Sequence, residues 1–179
     1  IGNNCKIYGQ VNLNYGTNLG KNVIIERGVT LRMATVGSNT LVHSGTFMWG
    51  SDSKKLKVGN NCIIGYYSIL DGSGGMKIGD NVHISSPSIG IWSHSSLNNC
   101  LTGNKINSPE YENNKVLASV IIGSNTWIGG NTTIMPGVAI EERVIILPNS
   151  VVNKDLEKDK MYGGTPAKET EYMRFRSWE

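Results

Sequence analysis

An aliphatic residue recurs every six positions along most of this chain. The recurring residues are Ile1, Ile7, Leu13, Leu19, Ile25, Leu31, Val36, Val42, Val58, Ile64, Leu70, Ile78, Ile84, Ile122, Ile128, Ile134, Ile140, Ile146 and Val152. A second small or β-branched residue follows four positions later, as Cys62 follows Val58 and Thr126 follows Ile122. Residues four apart in a strand point to the same side, so both sets face one interior. A period of six is typical of a parallel β-helix, in which each short strand and its corner take six residues.

Glycine and asparagine mark the corners of this repeat, for example at Gly59 to Asn61 and at Gly123 to Asn125. Both residue types tolerate the positive φ angles of tight turns. Three hexapeptides close one coil of about 18 residues. The sequence therefore predicts seven to eight coils, stacked roughly 4.8 Å apart.

The period is interrupted in four places. Leu31 to Val36 is one residue short, WGSDSKK (49–55) adds four residues, and DGSGG (71–75) adds two. The longest interruption runs from about Ile89 to Ile121 and is polar, without a strand pattern. A long structureless insertion in a compact repeat protein is usually functional, although a disordered surface excursion is the alternative.

The repeat divides the chain into two predicted parts. Residues 1–155 form the β-helix, with a protruding loop at about 95–120. Residues 156–179 form a C-terminal turn and a short helix, beginning near Ala167, that caps the last coil and protects its open strand edges.

Composition excludes several function classes. The net charge is +3, and no basic cluster lies along one face, so nucleic acid is not an expected partner. No apolar run reaches 18 residues, so no membrane span is expected. The three cysteines lack metal-ligand spacing, and we expect no metal cofactor.

Three segments resemble the hexapeptide-repeat acyltransferases, above all the sugar and polysaccharide O-acetyltransferases. They are IGDNVHISSPSIGIWSHSS (78–96), IIGSNTWIGGNTTIMPGVAI (121–140) and GGTPAK (163–168). The resemblance implies an all-β, left-handed parallel β-helix that assembles as a homotrimer. It also implies that acetyl-CoA binds in the groove between neighbouring subunits, in the cytoplasm, and that its acetyl group passes directly to an acceptor hydroxyl or amine.

Attack on a thioester by a hydroxyl requires a base, and a neutral imidazole is the usual choice near pH 7. His43 and His83 occupy ordinary repeat positions, where we expect surface or interface residues. His94 lies where the repeat breaks, and it matches the catalytic histidine of the family. The group that orients His94 stays open; the candidates are Ser93, Ser95, Glu110 and Glu112.

The resemblance also implies the remaining site residues. Trp127 is similar to a family tryptophan beside the thioester and the catalytic histidine; a tryptophan packed under the insertion is the alternative. The implied acetyl-CoA contacts are Gly130, Pro148, Asn153, Lys154 and Lys168. The expected acceptor contacts are Tyr67, Asp71 and Ser73.

Four functions compete for this sequence. The first is acetyl-CoA-dependent O-acetylation of a sugar, in a cell-surface polysaccharide or its precursor. The second is N-acetylation of an amino sugar or acetylation of an antibiotic. A zinc-dependent carbonic anhydrase would need three converging imidazoles, which the spacing of the histidines disfavours. The fourth function is a solenoid that serves only as a scaffold. Such a protein would need no break in the period around a histidine, so the break at His94 disfavours it.

Overall fold

The computed structural model describes residues 1–171, which form a left-handed parallel β-helix of about eight coils. The strands up to the insertion are β1 (Lys6–Ile7), β2 (Asn12–Leu13), β3 (Asn18–Leu19), β4 (Ile24–Ile25), β5 (Thr30–Arg32), β6 (Ala34–Val36), β7 (Leu41–Val42), β8 (Phe47–Gly50), β9 (Leu56–Val58), β10 (Ile63–Ile64), β11 (Ile69–Gly72), β12 (Met76–Ile78), β13 (His83–Ile84), β14 (Gly90–Trp92) and β15 (His94–Ser95). Two helices follow, α1 (Leu97–Thr102) and α2 (Pro109–Asn113). The remaining strands are β16 (Val116–Leu117), β17 (Val120–Ile122), β18 (Trp127–Ile128), β19 (Thr133–Ile134), β20 (Ala139–Ile140), β21 (Ile145–Ile146), β22 (Val151–Val152), β23 (Met161–Gly163) and β24 (Lys168–Thr170).

The strands form the three sides of a prism. The first sheet has the order β1-β4-β7-β10-β13-β18-β21-β23-β24, the second β2-β5-β8-β11-β14-β19-β22, and the third β20-β17-β12-β9-β6-β3. We call the turn from the first to the second sheet the first corner, the turn from the second to the third sheet the second corner, and the turn back to the first sheet the third corner. Each side is parallel from coil to coil, except for the final strand of the first sheet.

The inward positions are those that the six-residue period predicts. Ile25, Leu31, Ile64, Leu70 and Ile128 are fully buried. Burying each such side chain stabilises the fold by about 1.5–3 kcal/mol. The predicted β-helix is therefore confirmed, with its aliphatic core in the middle of the coils.

The third corner is held by a ladder of asparagines. Asn22, Asn39, Asn61, Asn81 and Asn125 all have positive φ, between 55° and 60°. The Asn22 amide donates to the Asn39 side chain at 2.9 Å, and Asn39 donates in the same way to Asn61 at 3.2 Å. The asparagines serve the turn and also link one coil to the next.

All four interruptions of the period lie at the second corner. The shortened segment joins β5 to β6, WGSDSKK runs from the end of β8 to the start of β9, and DGSGG runs from the end of β11 to the start of β12. The long insertion leaves the coil after β14 and rejoins it at β17. Irregular backbone is thus gathered along one edge of the prism, where it does not disturb the stacking of the three sheets.

The insertion is ordered, which corrects the expectation of a structureless loop. β15 and β16 form an antiparallel hairpin base, and α1 and α2 lie between them. Ser108 caps α2, because its side chain accepts a hydrogen bond from the backbone N–H of Tyr111 at 3.2 Å. Buried Asn99 in α1 donates to the carbonyl oxygen of Tyr111 at 2.9 Å. Polar anchoring of this kind carries no hydrophobic period, so the pattern of the sequence did not indicate it.

The C-terminal segment differs from the predicted helix at its beginning. Residues 168–170 form β24, an antiparallel strand that turns back along β23. Residues 172–179, where the rest of the capping helix was predicted, lie outside the described part of the chain. Between residues 1 and 171, no helix is both long and apolar enough to cross a bilayer.

The coils stack so closely at the third corner that a side chain at Gly59 would not fit. A Cβ on Gly59 would collide with the carbonyl oxygen of Gly79 in the next coil, whereas a Cβ on Gly9 would have no neighbour within 4 Å. We expect Gly59→Ala to lower the free energy of unfolding by about 1–3 kcal/mol or more, measured by urea denaturation. Gly9→Ala is the matched control and should change it little; equal effects of the two variants would contradict this account of coil stacking.

Candidate active site

A buried carboxylate orients the imidazole of His94. The Nδ1 atom of His94 lies 2.8 Å from Oδ2 of Asp71. The Asp71 side chain is only 2% exposed, whereas that of His94 is 35% exposed. An ionised carboxylate accepts, so Nδ1 carries the proton and Nε2 is left as the basic nitrogen.

The local turn fixes Asp71 in place. Its Oδ1 accepts a hydrogen bond from the backbone N–H of Ser73 at 2.9 Å. Its carbonyl oxygen accepts from the buried hydroxyl of Ser93 at 2.6 Å. That same hydroxyl accepts from the N–H of Gly74 at 2.8 Å. Two neighbouring coils are joined through these bonds, which leaves the Asp71–His94 pair little freedom to move.

His94 opens into a pocket of about 420 Å³ at the second corner. One wall is the WGSDSKK segment, with Ser51, Ser53 and Lys54, and the other is the end of the insertion, with Lys115 and Leu117. Ser73 also lines this pocket, and its Oγ accepts a hydrogen bond from Nε1 of Trp49 at 3.1 Å. A small polar ligand in this pocket would therefore lie beside His94, between walls that carry hydroxyl and ammonium groups and the carboxylate of Glu112.

The predicted acceptor contacts divide into three cases. Ser73 lies in the pocket with His94, as an acceptor contact should. Asp71 is buried and both its carboxylate oxygens are already bonded within the chain, so it orients His94 rather than meeting a ligand. Tyr67 lies at the first corner, 63% exposed, and does not share this pocket. The four candidate orienting groups, Ser93, Ser95, Glu110 and Glu112, do not take the role that Asp71 takes.

Trp127 and His94 lie on different parts of the prism. Trp127 points outward from the first sheet, in register with His83 on one side and Ile145 on the other. The predicted proximity of Trp127 to His94 is therefore absent within the described residues of one chain, as is packing of Trp127 under the insertion, which projects from the second corner.

The residues predicted to contact acetyl-CoA also divide between two corners. Gly130 and Pro148 follow each other at the first corner, and the GGTPAK turn continues the same edge on the last coil. Lys168 follows this turn as the first residue of β24. Exposed Asn153 and Lys154 follow β22 at the second corner instead.

A second polar cluster lies at the first corner. The rings of His43 and Tyr66 stack with centroids 4.2 Å apart, and Nδ1 of His43 lies 3.2 Å from Oε2 of Glu26. This Nδ1 is buried without an aligned acceptor. Burial alone would raise the pKa of Glu26, but the nearby His43 imidazole and two hydrogen bonds from Ser44 outweigh burial and lower this pKa. The Ser44 hydroxyl donates to Glu26 at 3.0 Å and not to the imidazole, so the cluster is not a nucleophilic triad.

His83 is the third imidazole, on the outer face of the first sheet. Burial and the neighbouring His43 both lower the pKa of His83, since each disfavours its charged form. Among residues 1–171, no three His, Cys, Asp or Glu side chains lie close enough together to hold a metal ion.

Two family models of known proteins match the chain. The first, described as bacterial transferase hexapeptide (six repeats), matches residues 119–154. The second, described as the hexapeptide repeat of succinyl-transferase, matches residues 55–86.

Curated relatives are named as acetyltransferases. A galactoside O-acetyltransferase of Escherichia coli K12 is 28% identical over 137 residues, covering 75% of this chain and 62% of the relative. A probable macrolide acetyltransferase of Lysinibacillus sphaericus is 44% identical over 61 residues, covering 34% of each chain. The chain thus spans less than two thirds of the length of either relative.

Solved structures share the fold. AntD, an N-acyltransferase from Bacillus cereus in complex with dTDP and 3-hydroxybutyryl-CoA, superposes with a TM-score of 0.73 at 24% identity, covering 87% of this chain and 82% of that one. A hexapeptide-repeat acetyltransferase from Vibrio cholerae superposes with a TM-score of 0.53 at 23% identity, covering 90% and 76%. At these identities the likeness establishes the architecture.

The Asp71–His94 pair predicts one tautomer of the imidazole. In the neutral imidazole of His94, ¹⁵N NMR should show a protonated Nδ1 and an unprotonated Nε2. Asp71→Asn should produce a mixture of tautomers, because the amide can donate as well as accept. Ser73→Ala keeps the backbone N–H that holds Asp71 and should leave the tautomer unchanged. The same mixture in all three proteins would contradict the orienting role of Asp71.

Proposed function

We propose that this chain, a member of the hexapeptide-repeat acyltransferase family, transfers an acetyl group from acetyl-CoA to a hydroxyl group of a sugar. The observation that carries the proposal is the buried Asp71 carboxylate that orients His94, a residue lining a pocket together with several serine hydroxyls. The E. coli relative is named for O-acetylation of a galactoside, which fits a sugar acceptor. The acceptor would be a cell-surface polysaccharide or its precursor, acetylated in the cytoplasm, where acetyl-CoA is available.

The chemistry follows from the geometry of the pair. Nε2 of His94 takes the proton of the acceptor hydroxyl while the hydroxyl oxygen attacks the thioester carbonyl. The Asp71 carboxylate stabilises the imidazolium that forms. The tetrahedral intermediate then collapses, the carbon–sulfur bond breaks, and the proton passes from His94 to the leaving thiolate. The products are the acetyl ester and free CoA, and no covalent enzyme intermediate is needed.

Acetyl-CoA would bind along the first corner of a neighbouring subunit. Gly130, Pro148 and the GGTPAK turn line this edge on three successive coils, and Lys168 would meet the phosphates of CoA. Because His94 lies at the second corner, the first corner of one copy must lie beside the second corner of another. In that arrangement Trp127, and the exposed Tyr67, can approach a site that they cannot reach within their own chain. Asn153 and Lys154, at the second corner, would then approach the CoA from the copy that supplies His94.

A homotrimer supplies that arrangement through the outer face of the second sheet, which lies between the first and second corners of each copy. This face carries an uncharged row from coil to coil, formed by Thr30, Phe47, Ile69, Gly90, Thr133 and Val151, in which the apolar side chain of Phe47 is exposed and those of Ile69 and Val151 are only partly buried in the single chain. Rows of this kind on a soluble protein mark interaction surfaces. The outer face of the third sheet carries Lys57 and Lys77 instead, so it remains in water.

A second candidate is transfer to a macrolide or to an amino sugar. The Lysinibacillus relative is named a probable macrolide acetyltransferase, and AntD is an N-acyltransferase whose variant was solved with dTDP-4-amino-4,6-dideoxyglucose and CoA. The same Asp71–His94 pair could accept a proton from an amine. A screen of hydroxyl and amino acceptors, read by thiol release, separates the two candidates.

Removal of the base tests the proposal. His94→Ala should lower the rate of acetyl transfer by at least about 10²-fold. Calorimetry should show that acetyl-CoA still binds with nearly unchanged affinity, because His94 does not line the first corner. His43→Ala and His83→Ala are the comparison variants. Full activity of His94→Ala would remove His94 from the mechanism.

The assembly makes its own prediction. Sedimentation velocity should give a mass about three times that of the 19.5 kDa chain. Phe47→Glu places a charge on the row of the second sheet and should yield folded monomers that have lost transfer activity, since both corners are then unpaired. Lys57→Glu, on the third sheet, should remain trimeric. A fully active monomeric wild type would overturn the shared site.

A further inference from the structure

We propose that the pocket over His94 selects an acceptor with an anionic substituent, a phosphate or a carboxylate, and that Lys54 binds this substituent. One part of this proposal rests on the proposed function, namely that the molecule bound in the pocket is the acceptor of the acetyl group. It concerns the chemical class of that acceptor, which the base and the CoA groove leave open.

One charged group around the pocket lacks a partner within the chain. Both oxygens of Glu112 accept hydrogen bonds from Nζ of Lys115, each at 2.8 Å. Asp71 is occupied by His94 and by the backbone of Ser73. Within residues 1–171, Lys54 has no carboxylate within ion-pair distance. Among the charged side chains that line the pocket, Lys54 is therefore the one whose ammonium group has no ion pair or hydrogen bond within residues 1–171.

The segment that carries Lys54 is a defined turn. The N–H of Ser51 donates to the carbonyl oxygen of Lys54 at 2.8 Å, and the N–H of Lys54 donates to the Ser51 hydroxyl at 3.1 Å. The aliphatic stem of Lys54 lies near Gly75, whose φ of 101° and missing side chain leave room beside it. The Lys54 side chain thus lies with its stem near Gly75 and borders the pocket.

The other walls fit a sugar ring. The hydroxyls of Ser51, Ser53 and Ser73 line the pocket, and Leu117 supplies one apolar surface. A volume of about 420 Å³ lies within the range of small-molecule sites. Neutral hydroxyls on the ligand can pair with the serines, but only an anion forms the stronger charge-assisted hydrogen bond with Lys54. An acceptor that bears a negative charge near the attacking hydroxyl uses all of these groups at once.

Binding can be measured without turnover. The ring resonances of His94, assigned by comparison with His94→Ala, would be followed by NMR during titration with glucose 1-phosphate, glucuronate and glucose. At least one anionic probe should bind about tenfold or more tightly than glucose. Lys54→Gln should abolish this difference, whereas Lys77→Gln, which removes an exposed charge from the third sheet, should preserve it. A preference for glucose 1-phosphate alone identifies phosphate, and one for glucuronate alone identifies carboxylate.

Three results would overturn the proposal. They are equal affinity for glucose and both anions, no binding of any probe, and equal effects of Lys54→Gln and Lys77→Gln.

A kinetic experiment separates this proposal from the proposed function. Thiol release from acetyl-CoA would be measured with the same three acceptors. Lys54→Gln should raise KM for the anionic acceptor at least about tenfold and change kcat little, because Lys54 holds the acceptor and does not take part in proton transfer. Anion binding through Lys54 without any thiol release would refute the transferase and leave the subsite. Equal kcat/KM for neutral and anionic acceptors would refute the subsite and leave the transferase.

Discussion

Backbone hydrogen bonds between consecutive coils set the spacing on which the rest of this molecule depends. Each strand pairs with a strand of the coil before and with one of the coil after, so every coil must have the same cross-section. The interior then accepts an aliphatic side chain such as Ile64 at each strand, and extra residues can be accommodated only outward. Segments that depart from the repeat, including those that carry the candidate site, consequently lie at the corners.

The three corners answer this constraint in different ways. The third corner is the most regular, with asparagines in successive coils bonded to one another. The second corner collects the added residues and holds His94. The first corner combines a polar cluster around His43 on the early coils with the Gly130 and Pro148 edge on the later coils. A prism built from one repeat thus has one edge for stacking and two edges on which chemistry can be arranged.

The sequence predicts the interior of this protein well because a strict period needs no knowledge of distant contacts. The role of Asp71 was not predictable in this way. Asp71 lies 23 residues before His94, and the sequence predicts it to be a contact of the acceptor. Its role becomes visible only through register. Leu70 lies beside Ile91 in neighbouring coils, which sets Asp71 opposite Trp92, and the chain then turns at Ser93 to bring His94 over the carboxylate. The four interruptions are spaced by about one coil, a signal in the sequence that they lie on one edge. The helices of the insertion left no such signal, because Asn99 anchors them through hydrogen bonds.

The reversed strand β24 has a consequence for the end of the prism. A solenoid of parallel coils ends in unpaired backbone groups that could template another coil, and a second molecule stacked on that end would extend the ladder indefinitely. β24 occupies the edge of the first sheet in the opposite direction, and its side chains are exposed. Within the described residues β24 thus covers the edge of the first sheet, and its charged Lys168 and Glu169 disfavour the docking of a further coil there.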